Sequence, residues 1–167
     1  YGKKAISDLL RELNEIEGLK WIRILYSYPE DVDAEFVKAV KECEKVLPYF
    51  DMPVQHANDA ILKLMNRKTS KQQIKENIDR IRKEIPEASI RTSIIVGFPT
   101  ETQEQFDELC EFVKEVKLDR LGVFAYSREE DTPAAILEGQ IDEDIKQERK
   151  NRLMEIQQGI SYEKNKT

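Results

Sequence analysis

The stretch from Ser89 to Thr102 constrains the fold of this chain more than any other part of its sequence. It begins with a β-branched run that predicts a strand, reaches Gly97, and ends at hydroxyl residues that can cap a helix starting near Glu104. Where a strand runs through a tight glycine turn into a helix, free N–H groups and the positive helix end point at the same spot. We therefore expect a ligand at the carboxyl end of this strand, although a plain packing turn explains the same residues.

Strand and helix patterns alternate along the rest of the chain. Besides the stretch before Gly97, the predicted strands are Trp21–Tyr28, Tyr49–His56 and Arg120–Ser127. Apolar residues at helical spacing predict helices at Ile6–Ile16, from Asp33 to Pro48, at Asp59–Asn66, Ser70–Glu84, from near Glu104 to Val116, and at Asp142–Lys164. This order requires right-handed crossovers and a parallel sheet. Four strands do not close a barrel, so the sheet is either open or part of a larger barrel.

Length and composition fit one charge-rich domain of 167 residues, with 40% hydrophobic and 36% charged residues. No apolar run approaches the roughly 18 residues of a membrane-spanning helix. The chain opens with Tyr1-Gly2-Lys3-Lys4, so we expect a piece of a longer polypeptide. A net charge of −6 weakly disfavours a nucleic-acid surface. Cys43 and Cys110 are predicted to be buried thiols in a reduced, cytoplasmic setting.

Period-two alternation predicts two different faces for the sheet. The apolar face is expected to meet the helices and carries Ile22, Ile24, Tyr26, Phe50, Met52, Val54, Ile90, Thr92, Ile94 and Val96. The opposite face is polar, which is unusual for a parallel sheet. On it, Arg23, Asp51 and Arg91 lie early in their strands and predict a charge-paired belt. Nearer the carboxyl ends, Gln55, Ser93 and Gly97 are expected to face a ligand.

Few residues suit acid, base or metal chemistry. His56 is the only histidine, so neither a Ser/His pair nor a two-histidine metal site can be built, and we expect His56 to line the cavity mouth. Arg67, next to Lys68, suits either a carboxylate clamp or a surface charge pair. Tyr126 suits either covering a flat ring or core packing. No Gly-rich phosphate loop is present. The residues alone thus leave a non-catalytic α/β binding module open.

Several motifs, in collinear order over nearly the whole chain, resemble those of the radical S-adenosylmethionine methylthiotransferases. They are Met52–His56, Leu64–Arg67, Arg91–Thr102, and Tyr126-Ser127 followed by Asp131–Ala134. Gln55-His56 and Asp119–Phe124 with Glu129-Glu130 resemble the RimO-type branch, which modifies an aspartate of the twelfth protein of the small ribosomal subunit. The tRNA adenosine-modifying branch, typically with Gln-Ser-Gly at the first place, is the alternative.

The resemblance implies an α/β fold that is part of a radical-SAM (β/α) TIM-like partial barrel, with four parallel strands and crossover helices. Residues 1–141 would be the later part of the barrel core, and residues 142–167 a long helix leading toward a missing carboxyl-terminal domain. The family holds a [4Fe–4S] iron–sulfur cluster through a C-x-x-x-C-x-x-C loop that this sequence lacks. The chain alone is therefore expected to be inactive, with no catalytic residue and no metal ligand of its own.

The resemblance also implies a site for S-adenosylmethionine. The Gly97-Phe98-Pro99 turn would support the adenine or ribose, Gln55 and Ser93 would line the cofactor cavity, and Arg67 would meet the methionyl carboxylate. Tyr126 is the remaining candidate for cofactor binding. The implied partner is a small-subunit ribosomal protein, with the ribosome as a further candidate, no membrane, and tRNA as a weaker one.

Overall fold

The computed structural model describes residues 5–166, so the Tyr1–Lys4 opening lies outside the described part. Its helices are α1 (Ile6–Asn14), α2 (Ala34–Glu42), α3 (Asp59–Leu64), α4 (Lys71–Glu84), α5 (Gln103–Val116) and α6 (Glu143–Lys164). Its strands are β1 (Tyr49–Asp51), β2 (Ser89–Val96) and β3 (Arg120–Ala125), and single 3-10 turns span Pro29–Asp31 and Pro133–Ile136. None of the helices in residues 5–166 combines the length and the apolar character that crossing a membrane requires.

The strands form one parallel sheet in the order β1-β2-β3. Strand β2 is central: its residues from Arg91 to Val96 pair with those from Arg120 to Ala125 of β3. On the other side, Tyr49, Phe50 and Asp51 of β1 pair with Ser89, Ile90 and Arg91. Helices α3 and α4 connect β1 to β2, and α5 connects β2 to β3. The predicted parallel α/β order is confirmed, but within residues 5–166 the sheet has three regular strands and the prediction of four is wrong.

The segment Trp21–Tyr28, predicted to be the first strand, is extended without forming a regular ladder. It lies beside β1, where Ile22 makes one parallel bridge to Val46 and the N–H of Ser27 donates to the carbonyl of Asp51 at 2.8 Å. Tyr26 has a φ of 60°, a left-handed conformation that breaks the extended run. This conformation leaves Tyr26 73% exposed, so its predicted place against the helices is wrong.

Strand β1 is shorter than the predicted Tyr49–His56 because Pro53 interrupts it. At the break, the hydroxyl of the fully buried Thr92 donates to the carbonyl of Met52 at 2.8 Å and accepts from the N–H of Val54 at 3.1 Å. Parallel pairing resumes at Gln55, whose N–H donates to the Ser93 carbonyl. One side-chain hydroxyl thus replaces the ladder bonds that a proline-containing strand cannot make.

Helix ends differ from the prediction by a few residues, for local reasons. The capping box predicted at Ser70 and Gln73 is confirmed, and Thr102 forms a second one at the start of α5. Helix α3 ends at Leu64, two residues early, and Asn66 just beyond it has a left-handed φ of 54°. Helix α1 ends at Asn14, ahead of Ile16, which is exposed although it was predicted to be on the apolar face.

The hydrophobic core lies on one face of the sheet. The predicted helix-facing residues Ile90, Thr92, Ile94 and Val96 of β2 are all buried, and the three apolar ones join a single core with residues of α2, α4 and α5. Helix α6 packs on β3 and α5. Leu153 of α6 is fully buried in the core, and the side chain of Gln157 donates to the Leu118 carbonyl at 3.0 Å.

Replacing Thr92 with Val should lower the free energy of unfolding by about 1–3 kcal/mol, because two buried backbone groups lose their partner while the volume hardly changes. Chemical denaturation followed by circular dichroism measures this change. Thr132→Val is the matched control, since the Thr132 hydroxyl bonds to the Glu129 carbonyl in an exposed loop. Equal losses in the two variants would contradict the bridging role of Thr92.

Candidate functional site

The turn that follows β2 is closed by a carboxylate of the same segment. Gly97 has a φ of 71°, and Glu101 at the end of the turn is 3% exposed. One oxygen of Glu101, Oε2, accepts from the N–H of Gly97 in a short hydrogen bond and from the N–H of Phe98 at 3.2 Å. The sequence predicted free N–H groups for a ligand at this turn, and those of Gly97 and Phe98 are instead bound by the carboxylate of Glu101.

The close approach that Gly97 permits is used by helix α6. A Cβ at this position would collide with the aliphatic side chain of Lys146, which is buried. The sequence predicted the close approach correctly but pointed to a bound molecule, whereas here the approaching group is a lysine from a distant part of the chain. Gly97, Phe98 and Pro99 are all buried.

Helix α6 is fixed to this turn by a buried ion pair. Arg149 of α6 places its NH1 atom 3.4 Å from Oε1 of Glu101 and donates to the Glu101 carbonyl at 3.0 Å. Nε2 of the buried His56 lies 4.0 Å from the same Oε1 atom, and Nδ1 of His56 accepts from the N–H of Asn58 at 2.9 Å. His56 therefore lies inside the protein behind the turn, and its predicted place at the cavity mouth is wrong.

Tyr126 packs in a small apolar cluster with Phe98 and Ile61. Its ring meets the ring of Phe98 edge to face, with centroids 5.3 Å apart, and Nζ of Lys146 lies 5.3 Å from its centroid. The hydroxyl of Tyr126 is buried without a hydrogen-bond partner in the described part of the chain. Tyr126 therefore packs against the core, and its contact with a cofactor stays a prediction.

Two predicted residues, Gln55 and Arg67, do line an open cavity of about 230 Å³ at the carboxyl end of the sheet. Arg67 donates weakly to the Pro53 carbonyl at 3.4 Å, and its guanidinium lies 5.3 Å from the ring centroid of Tyr28. The rest of the wall consists of Tyr26, Ser27, Tyr28 and Pro53. Sequence reasoning missed the two tyrosines as site residues. The aromatic run before Pro29 was the available signal.

Two of the six non-glycine residues with positive φ in the described part of the chain line this cavity. Tyr26 and Gln55 face it from two neighbouring segments, and both are non-glycine residues with positive φ, 60° and 70°. Such conformations cost of order 1–3 kcal/mol each and are found most often at functional sites. The cavity combines a cation, an amide and two aromatic rings, which suits a ligand with a carboxylate and an apolar portion.

Ser93 lies on the face of the sheet opposite the helices, one residue layer nearer the amino ends of the strands than Ile95. It is paired with Gly122, whose missing side chain leaves room for the ring of Phe124 to lie back toward Ser93. Phe124 is 54% exposed, and its partner Ile95 is half-buried, so the carboxyl-end layer of this face is apolar. The expectation of a uniformly polar face is therefore wrong at this layer.

The polar belt predicted at the amino ends is present in part. NH1 of Arg91 lies 2.7 Å from Oδ1 of the buried Asp51, and this hydrogen bond raises the pKa of Arg91. Arg23 does not join this pair, because its guanidinium stacks 3.9 Å above the ring of Tyr49. The predicted belt of three charged residues is thus an ion pair between Arg91 and Asp51, and Arg23 stacks on a ring beside it.

Neither cysteine is poised to hold metal. Burial raises the pKa of both Cys43 and Cys110, which favours the thiol over the thiolate that metals bind. Both are free, as predicted, and residues 5–166 contain no group of three or more His, Cys, Asp or Glu side chains arranged to hold a metal ion.

Comparison with known sequences agrees with this architecture. The family described as the Radical SAM superfamily matches residues 2–113. The protein named ribosomal protein uS12 methylthiotransferase RimO from Clostridioides difficile (strain 630) is 56% identical over 165 residues, which are 99% of this chain and 37% of that relative. The protein of the same name from Caldicellulosiruptor saccharolyticus is 55% identical over 99% of this chain and 38% of the relative. The chain thus spans less than two fifths of the length of these relatives.

Solved structures share the fold. Coproporphyrinogen III oxidase (HemN) from Escherichia coli, described as a radical SAM enzyme, superimposes with a TM-score of 0.68 and 25% identity over 90% of this chain and 36% of its own. The radical S-adenosylmethionine methyltransferase TsrM from Kitasatospora setae gives a TM-score of 0.64 at 17% identity over 78% of this chain and 26% of its own. The predicted fold class and the resemblance to the methylthiotransferases are confirmed, and the chain belongs to the radical SAM superfamily.

Proposed function

We propose that this chain is the later part of the catalytic barrel of a methylthiotransferase that adds a methylthio group to an aspartate of the twelfth small-subunit ribosomal protein. The observation that carries the proposal is sequence identity. This chain is 51–56% identical, over 99% of its length, to relatives named for that activity. The residues typical of the ribosomal branch, Gln55-His56 and Asp119–Phe124 with Glu129-Glu130, support this substrate over tRNA. Such an enzyme would act in the cytoplasm, on the free ribosomal protein or on the ribosome.

The proposed cofactor site is the cavity at the carboxyl end of the sheet. Arg67 is suited to the methionyl carboxylate of S-adenosylmethionine because a guanidinium binds a carboxylate through two parallel N–H groups. Gln55 offers an amide to the polar part of the cofactor, and the rings of Tyr26 and Tyr28 offer apolar surface. Ser93 with Ile95 and Phe124 would continue this wall along the inner face of the sheet, which is the face opposite the helices.

The Gly97-Phe98-Pro99 turn and Tyr126 support this site from behind. Because Glu101 occupies the N–H groups of Gly97 and Phe98, any contact of the turn with adenine or ribose would use its carbonyl groups. We propose that the turn and Tyr126 hold the carboxyl end of β2 in place, so that Gln55 and Ser93 keep their positions toward the cofactor.

The residues of this chain do not fit a [4Fe–4S] cluster. The sequence has two cysteines, fewer than the three that such a family loop supplies, and both are buried on or beside helices. In the family the cluster delivers the electron that starts the radical reaction. We propose that its ligands lie in another segment of the complete protein and that the 167-residue chain alone transfers no methylthio group. The role of this chain in the reaction is to bind and orient S-adenosylmethionine and to exclude water from the site.

Replacing Arg67 with Gln should weaken the binding of S-adenosylmethionine by about tenfold, since one charge-assisted pair is lost. The measurement is equilibrium dialysis with the complete, cluster-loaded protein that contains this segment. Lys68→Gln is the control, because Lys68 is the adjacent exposed cation. Equal affinities of the Arg67→Gln variant and the unmodified protein would show that Arg67 does not bind the cofactor.

The substrate is tested by mass spectrometry. The complete protein, incubated with S-adenosylmethionine, a reductant and a sulfide source, should increase the mass of the twelfth small-subunit ribosomal protein by one methylthio group on an aspartate. Unfractionated tRNA is the parallel substrate. If tRNA adenosine is modified and the ribosomal protein is not, the proposed substrate is wrong. In the control without S-adenosylmethionine, no product is expected.

A further inference from the structure

A second cavity, of about 520 Å³, opens on the inner face of the sheet at the amino ends of its strands. It lies at the opposite end of the strands from Gln55 and Arg67. Three arginines line it, one from the extended segment, one from β2 and one from β3: Arg23, Arg91 and Arg120. The remaining wall consists of Tyr49, Ser89, Leu121 and Gly122. A chain with a net charge of −6 thus gathers three cations in one cleft.

The sheet register places two of these cations directly opposite each other. Arg91 and Arg120 are cross-strand partners of β2 and β3, on the same face. Like charges at directly opposite positions destabilise a sheet unless an anion lies between them. Asp51 neutralises only Arg91, through the 2.7 Å pair on the other side of β2. Within residues 5–166, three guanidinium groups and one carboxylate leave two positive charges uncompensated.

The other nearby carboxylate is already used. Asp119 accepts from the N–H of Ile90 at 2.9 Å and pairs with Lys164 of α6 at 2.6 Å. Among the residues that the structure describes, Arg120 donates only to the carbonyl of Asp119, at 2.9 Å. Across residues 5–166, no carboxylate lies within ion-pair distance of Arg23 or Arg120.

Arg23 is held in a defined orientation although the described part of the chain offers it no anionic partner. Its guanidinium lies 3.9 Å above the ring of Tyr49, and this stacking leaves the N–H groups at the edge of the guanidinium plane available. A stacked arginine is pre-organised for an oxyanion, because less side-chain entropy is lost when its hydrogen bonds form.

We propose that this cleft binds a divalent oxyanion of the phosphate type. Two negative charges match the two uncompensated positive charges, and guanidinium groups recognise phosphate oxygens in pairs. The hydroxyl of Ser89 at the cleft wall offers a further hydrogen bond. A monovalent carboxylate would neutralise only half of the excess charge and should bind more weakly.

The test is isothermal titration of the complete protein that contains this segment with inorganic phosphate, with chloride adjusted to a constant ionic strength. Saturable binding of one phosphate is expected, and Arg120→Gln and Arg23→Gln should each weaken it by about tenfold or more. Arg152→Gln is the matched control, since Arg152 lies on the exposed side of α6, paired with Asp107. Arg91 is not varied, because its loss would leave the buried Asp51 unpaired.

Thermal unfolding without phosphate gives a second measurement. Arg120→Gln should keep or raise the unfolding temperature, because it relieves the repulsion from Arg91, and phosphate should raise that temperature less in the variant than in the unmodified chain.

Ribose 5-phosphate and inorganic phosphate distinguish a phosphate ester from free phosphate as the source, and binding of either supports the proposal. Three results would overturn it: no saturable binding of either compound, equal binding by Arg120→Gln and Arg152→Gln, or acetate binding as tightly as phosphate.

Discussion

The buried carboxylate of Glu101 is the constraint on which this arrangement depends. It closes the turn after β2 through the N–H groups of Gly97 and Phe98, and it binds Arg149 of α6. A buried carboxylate is tolerated only when its charge is paired and hydrogen-bonded, so the turn, the central strand and the last helix must come together. Removing one partner of such a pair costs about 3–5 kcal/mol. The position of the carboxyl end of β2, and hence of the residues proposed to meet the cofactor, follows from this pair.

The side chains on the inner face of the sheet change in character from the amino ends to the carboxyl ends of the strands. Arginines lie at the amino ends, the small residues Ser93 and Gly122 lie in the middle, and Ile95 and Phe124 lie toward the carboxyl ends. At that end the cavity with Arg67 offers one cation among aromatic rings. An apolar layer next to a single cation suits a cofactor that is charged at one end and must be kept from water at the other. The arginine-rich end suits a small, highly charged anion instead.

Sequence patterns predicted the parallel sheet, the helix starts and the buried face of β2, because these follow from local periodicity and capping residues such as Ser70 and Thr102. The positive φ of Tyr26, which interrupts the predicted first strand, could not be predicted, because left-handed conformations are uncommon for residues other than glycine and asparagine. Gln55 and Arg67 were predicted as site residues, and the structure brings them together. The filling of the space at Gly97 by Lys146 was not predicted, because the two residues meet only when α6 folds back onto the sheet.

The central claim is that S-adenosylmethionine lies at the carboxyl end of this sheet, with its charged end at Arg67. The most direct measurement is a crystal structure of the complete, cluster-loaded protein with S-adenosylmethionine bound. The account predicts the methionyl carboxylate at hydrogen-bond distance from the Arg67 guanidinium, about 2.7–2.9 Å, with Gln55 and Tyr28 against the cofactor. A cofactor bound at the opposite end of the strands, among Arg23, Arg91 and Arg120, would contradict it.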